Sequence, residues 1–146
     1  MRHLRTEIEI EASTAQVWAI LTDYARYPEW NPLIREATIS KADGLNLFIC
    51  IEGLAKRRVD VKLLTVAPER ELRWLGRFLM PHLLDGDHRF LLTALGPSRV
   101  RLEHEERFGG LLVPLVAGRL MTSMKAGFEA LNQALKTRAE ASSGVR

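Results

Sequence analysis

Three residues whose types suit acid–base chemistry fall on two neighbouring stretches, His88 in Leu84–Leu95 and His104 and Glu106 in Arg99–Phe108. Both stretches alternate in the manner of half-buried strands. The side-chain period of two puts His88, Phe90, Leu92 and Ala94 on one face, and Val100, Leu102, His104, Glu106 and Phe108 on one face of the next. For both sets to face inward, the loop between the strands must be odd-numbered, and Gly96-Pro97-Ser98 meets that condition. His88 then stands opposite Glu106, and Phe90 opposite His104. The outer face agrees, because the same register sets Asp87 against Arg107 and Arg89 against Glu105. Such opposite-charge pairs are worth about 0.2–1 kcal/mol each. A one-residue slip would bury these charges and expose the apolar set. A carboxylate beside an imidazole can orient a hydroxyl or carbonyl, and it can move a proton, because each group shifts the other's pKa. His104 lies roughly 7 Å further along the same face. The competing reading is a buried salt bridge that fixes the sheet register, since buried polar groups are commonly satisfied by a neighbour. No residue is assigned as catalytic; His88, His104 and Glu106 are the candidates.

Other residues would shape a ligand site around that pair. Trp74 shares a face with Leu72, Gly76 and Phe78, where an inward indole can stack on a flat molecule or fill the core. Met121, Met124 and Phe128 recur on one face of a helix, and methionine adapts to varied ligands. The expected ligand-contacting set is Trp74, Phe78, His88, Phe90, Leu102, His104, Glu106, Met121, Met124 and Phe128. Leu79-Met80-Pro81-His82 is apolar for a loop and reads equally as a lid or a packed turn. Trp18, Tyr27 and Trp30 read as packing, and Cys50 as inert filling. The four histidines and one cysteine form no His-x-x-x-His or Cys-x-x-Cys spacing, so no metal is expected. The sequence holds neither a phosphate-binding glycine loop nor a Gly-x-Ser-x-Gly elbow, so no cofactor is expected either.

The elements that must position these residues follow from periodicity. Leu4, Thr6, Ile8 and Ile10 alternate with charged residues and predict a strand. Ser13 and Gln16 form a capping box that starts a short helix. Asp23 is placed to cap a second short turn, which Pro28 ends. Strands follow at Leu33–Ser40, Leu45–Ile51, Arg57–Val66, Glu71–Phe78, Leu84–Leu95 and Arg99–Phe108. Short links without intervening helices make them an antiparallel meander. Beyond Gly109-Gly110 the period turns helical, with Ala117, Met121, Met124, Phe128, Leu131 and Leu135 on one face as far as Arg138. Pro114 sits in the first turn, where its missing N–H costs little. Such a helix is about 40 Å long and can cross a whole sheet. The fold class is therefore α+β: a curved antiparallel sheet of about seven strands wrapped around a long C-terminal helix, with two short helices after the first strand. Residues 1–138 form the domain, and 139–146 read as a disordered tail.

Composition sets the outer bounds. A chain of 146 residues suits one domain, and at that size roughly 70% of the unfolded surface can be buried without staples. The net charge of +3 is spread among interleaved acids, which argues against nucleic acid as a partner. One cysteine allows no internal disulfide, and no apolar stretch follows the N-terminal charges. A cytoplasmic protein without an integral membrane segment is expected, and a homodimer is compatible with the sequence.

The segment from Ile10 to Pro32, Ile-Glu-Ala-Ser-Thr-Ala-Gln-Val-Trp-Ala-Ile-Leu-Thr-Asp-Tyr-Ala-Arg-Tyr-Pro-Glu-Trp-Asn-Pro, resembles the N-terminal signature of the START/Bet v 1-like (SRPBCC) superfamily. Leu72–Gly76, Asp85–Phe90, His104–Leu111 and Phe128–Lys136 resemble later parts of its polyketide cyclase/dehydrase-like branch. The resemblance spans nearly the whole chain and implies the helix-grip fold, a cavity and a hydrophobic ligand. It carries no catalytic signature onto particular residues. Three functions follow as expectations. The first is a carrier or sensor for a lipid, isoprenoid or polyketide-like molecule. The second is a cyclase- or dehydratase-type enzyme using His88, His104 and Glu106. The third is an accessory protein with only a vestigial cavity.

Overall fold

The computed structural model describes residues 2–51, 55–77 and 82–144. Strand β1 (Arg2–Ile10) leads into helix α1 (Thr14–Thr22) and a 3-10 turn (Tyr24–Glu29). Strands β2 (Ile34–Lys41), β3 (Gly44–Ile51), β4 (Ala55–Ala67), β5 (Glu71–Arg77), β6 (Asp85–Gly96) and β7 (Arg99–Gly109) follow, and helix α2 (Val113–Gly144) closes the chain. The seven strands form one open sheet in the order β1-β7-β6-β5-β4-β3-β2, antiparallel throughout. This is the helix-grip arrangement, with α2 lying in the concave face of the sheet.

Local chemistry accounts for the element ends. The Ser13 hydroxyl accepts from the Gln16 N–H at 3.1 Å, and the Gln16 side chain accepts from the Ser13 N–H at 2.9 Å, which makes the capping box the sequence predicts. Asp23 makes no cap bond; its carboxylate pairs with Arg26 instead, at 3.2 Å. The Asn31 side-chain oxygen accepts from the backbone of Leu33 at 3.0 Å and of Ile34 at 2.8 Å, and so fixes the start of β2. Gly110 joins β7 to α2 with φ +115, where a Cβ would lie 2.4 Å from the Leu83 carbonyl oxygen. Only glycine fits there. The joint is held by Leu111 N–H donating to His82 O at 3.0 Å and Leu112 N–H donating to Leu83 O at 2.9 Å.

The β6–β7 register is as predicted, with His88 opposite Glu106, Phe90 opposite His104, Asp87 opposite Arg107 and Arg89 opposite Glu105. The device that sets it differs from the expected three-residue loop. Gly96 pairs with Arg99 across a tighter turn, and a bulge between Ala94 and Gly96 restores the parity. On the convex face Arg89 reaches Glu105 at 3.4 Å, but Asp87 is taken by Arg73 at 2.8 and 2.6 Å, not by Arg107. The Arg73 guanidinium holds the Asp87 carboxyl below its ordinary pKa.

The core fills the concave side. Tyr27, Phe90, Phe108, Phe128, Leu131 and Leu135 are among its fully buried members. Helix α2 continues past Arg138, where the sequence pattern ends it, as far as Gly144. The expected disordered tail is helical there because Ala139 is fully buried and Glu140 accepts from the Glu11 N–H at 2.8 Å. Polar ties fasten this half of α2 to the rest: Lys136 donates to Glu9 O at 2.9 Å, and Arg138 pairs with Glu29 at 2.7 Å. The first half rests on the sheet through buried Leu120 and Met124. At Gly127 the helix comes so close that an added Cβ would lie 2.9 Å from Leu33 Cδ1. No described helix is long and apolar enough to cross a membrane.

Candidate functional site

Between the sheet and the first half of α2 lies a cavity of about 20 Å³. Apolar side chains of β2, β3 and β4 make one wall, with Met124 of α2 opposite and Trp74, His88 and Glu106 at the other end. Gly76 and Gly86 pair across β5 and β6, and both line the cavity. Having no side chains, they leave the floor open, whereas a Cβ at Gly76 would already meet Val61 at 3.3 Å. The volume suffices for a water molecule and falls well short of the roughly 300–1,000 Å³ of common ligand pockets.

The polar end belongs to a chain of buried hydrogen bonds crossing the core. Glu106 Oε1 lies 3.1 Å from His88 Nδ1, and His88 Nε2 lies 2.8 Å from His104 Nε2. His104 Nδ1 is 2.8 Å from Asn132 Oδ1, and Asn132 Nδ2 donates to Thr6 Oγ1 at 2.8 Å. The Thr6 hydroxyl donates to the His104 carbonyl at 3.2 Å and closes the chain. All five residues are buried. Four elements supply them: Thr6 comes from β1, His88 from β6, His104 and Glu106 from β7, and Asn132 from α2. Thr6 is the direct strand partner of His104, so the β1–β7 register brings them together.

Aromatic rings hold the imidazoles in place. His104 is sandwiched between Phe128, at 3.7 Å and nearly parallel, and Phe90, at 4.3 Å. Trp74 stacks on His88 at 4.8 Å. Burial pushes the His104 pKa well below its ordinary value, and the neighbouring His88 adds to the fall, while the Asn132 hydrogen bond opposes it. His104 is therefore a neutral imidazole at neutral pH. Glu106 is 3% exposed, and its second carboxyl oxygen has no hydrogen-bond partner among the described residues. Both ring nitrogens of His88 and of His104 are already engaged, so Glu106 is the member of the chain free to meet a molecule in the cavity.

Of the residues put forward from sequence, Trp74, His88, Glu106 and Met124 line the cavity. Phe90, Leu102, His104 and Phe128 are buried in the core around it. Met121 is partly exposed and packs against that core. Phe78 and the suggested lid residues Leu79–Pro81 lie outside the described residues. The sequence reading missed Thr6, Asn132 and Asn31. Thr6 stands between Leu4 and Ile8 on the apolar face of its strand, and Asn132 lies four residues after Phe128 and three before Leu135 on the apolar face of its helix. A polar residue at a core position of each period was the available signal. Among the described residues no group of His, Cys, Asp and Glu could hold a metal.

Residues 1–140 match the family model described as polyketide cyclase / dehydrase and lipid transport. The chain belongs to that family. Solved structures place this family member among START-like folds. A START superfamily protein from Mycobacterium smegmatis is 22% identical with a TM-score of 0.78, over 95% of this chain and 97% of the other. The Zhui aromatase/cyclase from Streptomyces sp. R1128 is 16% identical with a TM-score of 0.81, over 95% and 93%. At these identities the likeness establishes the shared fold. No curated protein matches the sequence.

Proposed function

We propose that this family member binds a small hydrophobic molecule between its sheet and α2, as a carrier or sensor. Family and fold fit a hydrophobic-ligand or polyketide cyclase-type protein. The observation that carries the reading is the Glu106 carboxyl in the wall of a mostly apolar cavity, with one oxygen on His88 and no hydrogen bond to the other among the described residues. A ligand hydroxyl that reached that oxygen would add a hydrogen bond at the one polar end of the cavity. The small volume alone suits an accessory protein with a vestigial cavity; the unpaired oxygen favours a ligand. Binding requires the first half of α2 to move off the sheet, where buried Leu120 and Met124 seat it, while the ties at Lys136 and Arg138 lie in the second half.

Titration with the neutral apolar probe N-phenyl-1-naphthylamine tests this. Saturable binding is expected, with affinity lowered several-fold in Glu106→Gln, because hydrogen bonds to charged groups are the stronger ones. Unchanged affinity together with a lower melting temperature would return the His88–Glu106 pair to a register-fixing salt bridge.

The relay favours a second reading, a cyclase- or dehydratase-type enzyme in which Glu106 exchanges a proton with the ligand and His88 and His104 stand behind it. Its signature is a bell-shaped pH–rate profile that loses one limb in Glu106→Gln.

A further inference from the structure

The proton arrangement of the buried relay can be read from its far end. Thr6 has one hydroxyl proton and gives it to the His104 carbonyl, so towards Asn132 it can only accept. The Asn132 amide therefore turns its NH2 to Thr6 and its oxygen to His104. That oxygen accepts, so His104 carries its proton on Nδ1. A neutral His104 then has a bare Nε2, which accepts from His88 Nε2–H. With the His88 proton committed at Nε2, the contact between His88 Nδ1 and Glu106 Oε1 contains a single proton. It belongs either to an imidazolium facing a carboxylate or to a carboxylic acid facing an imidazole. In both cases the other Glu106 oxygen carries no proton and is an acceptor.

From this geometry we infer the ligand class: an apolar molecule whose buried end is a hydrogen-bond donor, namely an alcohol, phenol or enol hydroxyl. Thr6 and Asn132, at the far end of the relay, are its specificity-determining residues. The inference rests on the ligand-binding reading above and narrows it. A ketone or ether would bring lone pairs against the Glu106 oxygen with no proton between them, and a buried site built for a donor rejects an analogue lacking one. Trp74, whose ring lies against His88 and lines the same cavity, favours a flat skeleton next to the hydroxyl.

The test compares 2-naphthol, naphthalene and 2-acetonaphthone by calorimetric titration of the whole chain. The expected order puts 2-naphthol at least about tenfold tighter than 2-acetonaphthone. Nitrogen-15 shifts of labelled histidine are expected to show His104 protonated on Nδ1 and bare at Nε2. In the double variant Glu106→Gln/Asn132→Asp the order reverses. A carboxylate at position 132 keeps protons on both His104 nitrogens, so His88 accepts at Nε2 and donates from Nδ1. The amide at position 106 then turns its oxygen to His88 and its NH2 into the cavity, where a ketone is the better partner. If the double variant does not fold, the wild-type series and the nitrogen shifts still decide. Equal binding of the three probes, tighter binding of the ketone by wild type, or a His104 proton on Nε2 overturns the donor rule and leaves the ligand site standing. Failure of all three to bind overturns the ligand site and the rule with it.

Discussion

His104 has no contact with water, two phenyl rings on its faces and a hydrogen-bond partner on each nitrogen. This gives it a defined effect on stability. Its pKa in the folded protein lies well below the ordinary 6.5. Below pH 6.5 the unfolded chain takes up a proton at this ring that the folded chain refuses, so stability falls as the pH drops. Above pH 6.5 this contribution is fully present. The slope from one such group approaches about 1.4 kcal/mol per pH unit. Urea midpoints between pH 8 and pH 5 are expected to decline more steeply in wild type than in His104→Gln, whose amide can still bond both neighbours. Parallel declines would show that the ring titrates in the folded state. Much of this residue-scale picture was legible in the sequence, because strand parity alone sets His88 against Glu106. What it did not show was the extension through Asn132 and Thr6, residues 126 positions apart that only the wrapping of α2 against β1 brings together. Nor could it show that both imidazoles spend their nitrogens on each other and on their flanking partners, which leaves Glu106 as the member of the set with an oxygen to offer the cavity.

At the scale of elements, the joint between β7 and α2 decides how the helix enters the concave face. Gly110 adopts φ +115 with backbone atoms of His82 and Leu83 pressed against the place a side chain would occupy. Those atoms are main chain and cannot rotate away. Gly110→Ala is expected to destabilise the protein by about 1–3 kcal/mol or more, seen as a drop in the denaturant midpoint. A control at Gly109, where a Cβ would meet nothing within 4 Å, is expected to change little. An equal effect at both positions would mean that the close approach is not the cause. The sequence marked Gly109-Gly110 as the break between strand and helix but could not say which glycine bears the constraint, because that depends on a loop distant in the chain. It likewise ended α2 too early, since the apolar stripe thins after Leu135 while Ala139 and Glu140 still find partners on the β1–α1 side.

Considered as a whole molecule, the protein has a helix joined by backbone hydrogen bonds to His82 and Leu83 where it begins and tied by side chains to β1 and the 3-10 turn towards its end. Polar ties from Asn132 to Glu140 hold the second half of α2, and the cavity lies under the first. Hydrogen exchange should register this division. Amides around Leu120–Met124 are expected to exchange faster than those around Leu131–Leu135, and a bound apolar probe should slow the first group more than the second. Uniform protection along α2, with or without the probe, would mean that ligand entry does not use this half. The fold itself was legible because hydrophobic period, turn residues and strand spacing all agree on a meander closed by a helix. The degree of closure was not, since tens of cubic ångströms depend on where single side chains come to rest.

Gly127 sets that degree of closure from the helix side. With no side chain of its own there, α2 packs directly on the Leu33 side chain at the entry to β2. A bulkier residue there would press on the Leu33 side chain, which lines the chamber, and any lift of the helix would also carry Phe128 and Asn132 away from His104. Interior capacity and polar recognition are thus coupled through one helix, so a change that resizes the chamber for a new guest also shifts the groups that read it.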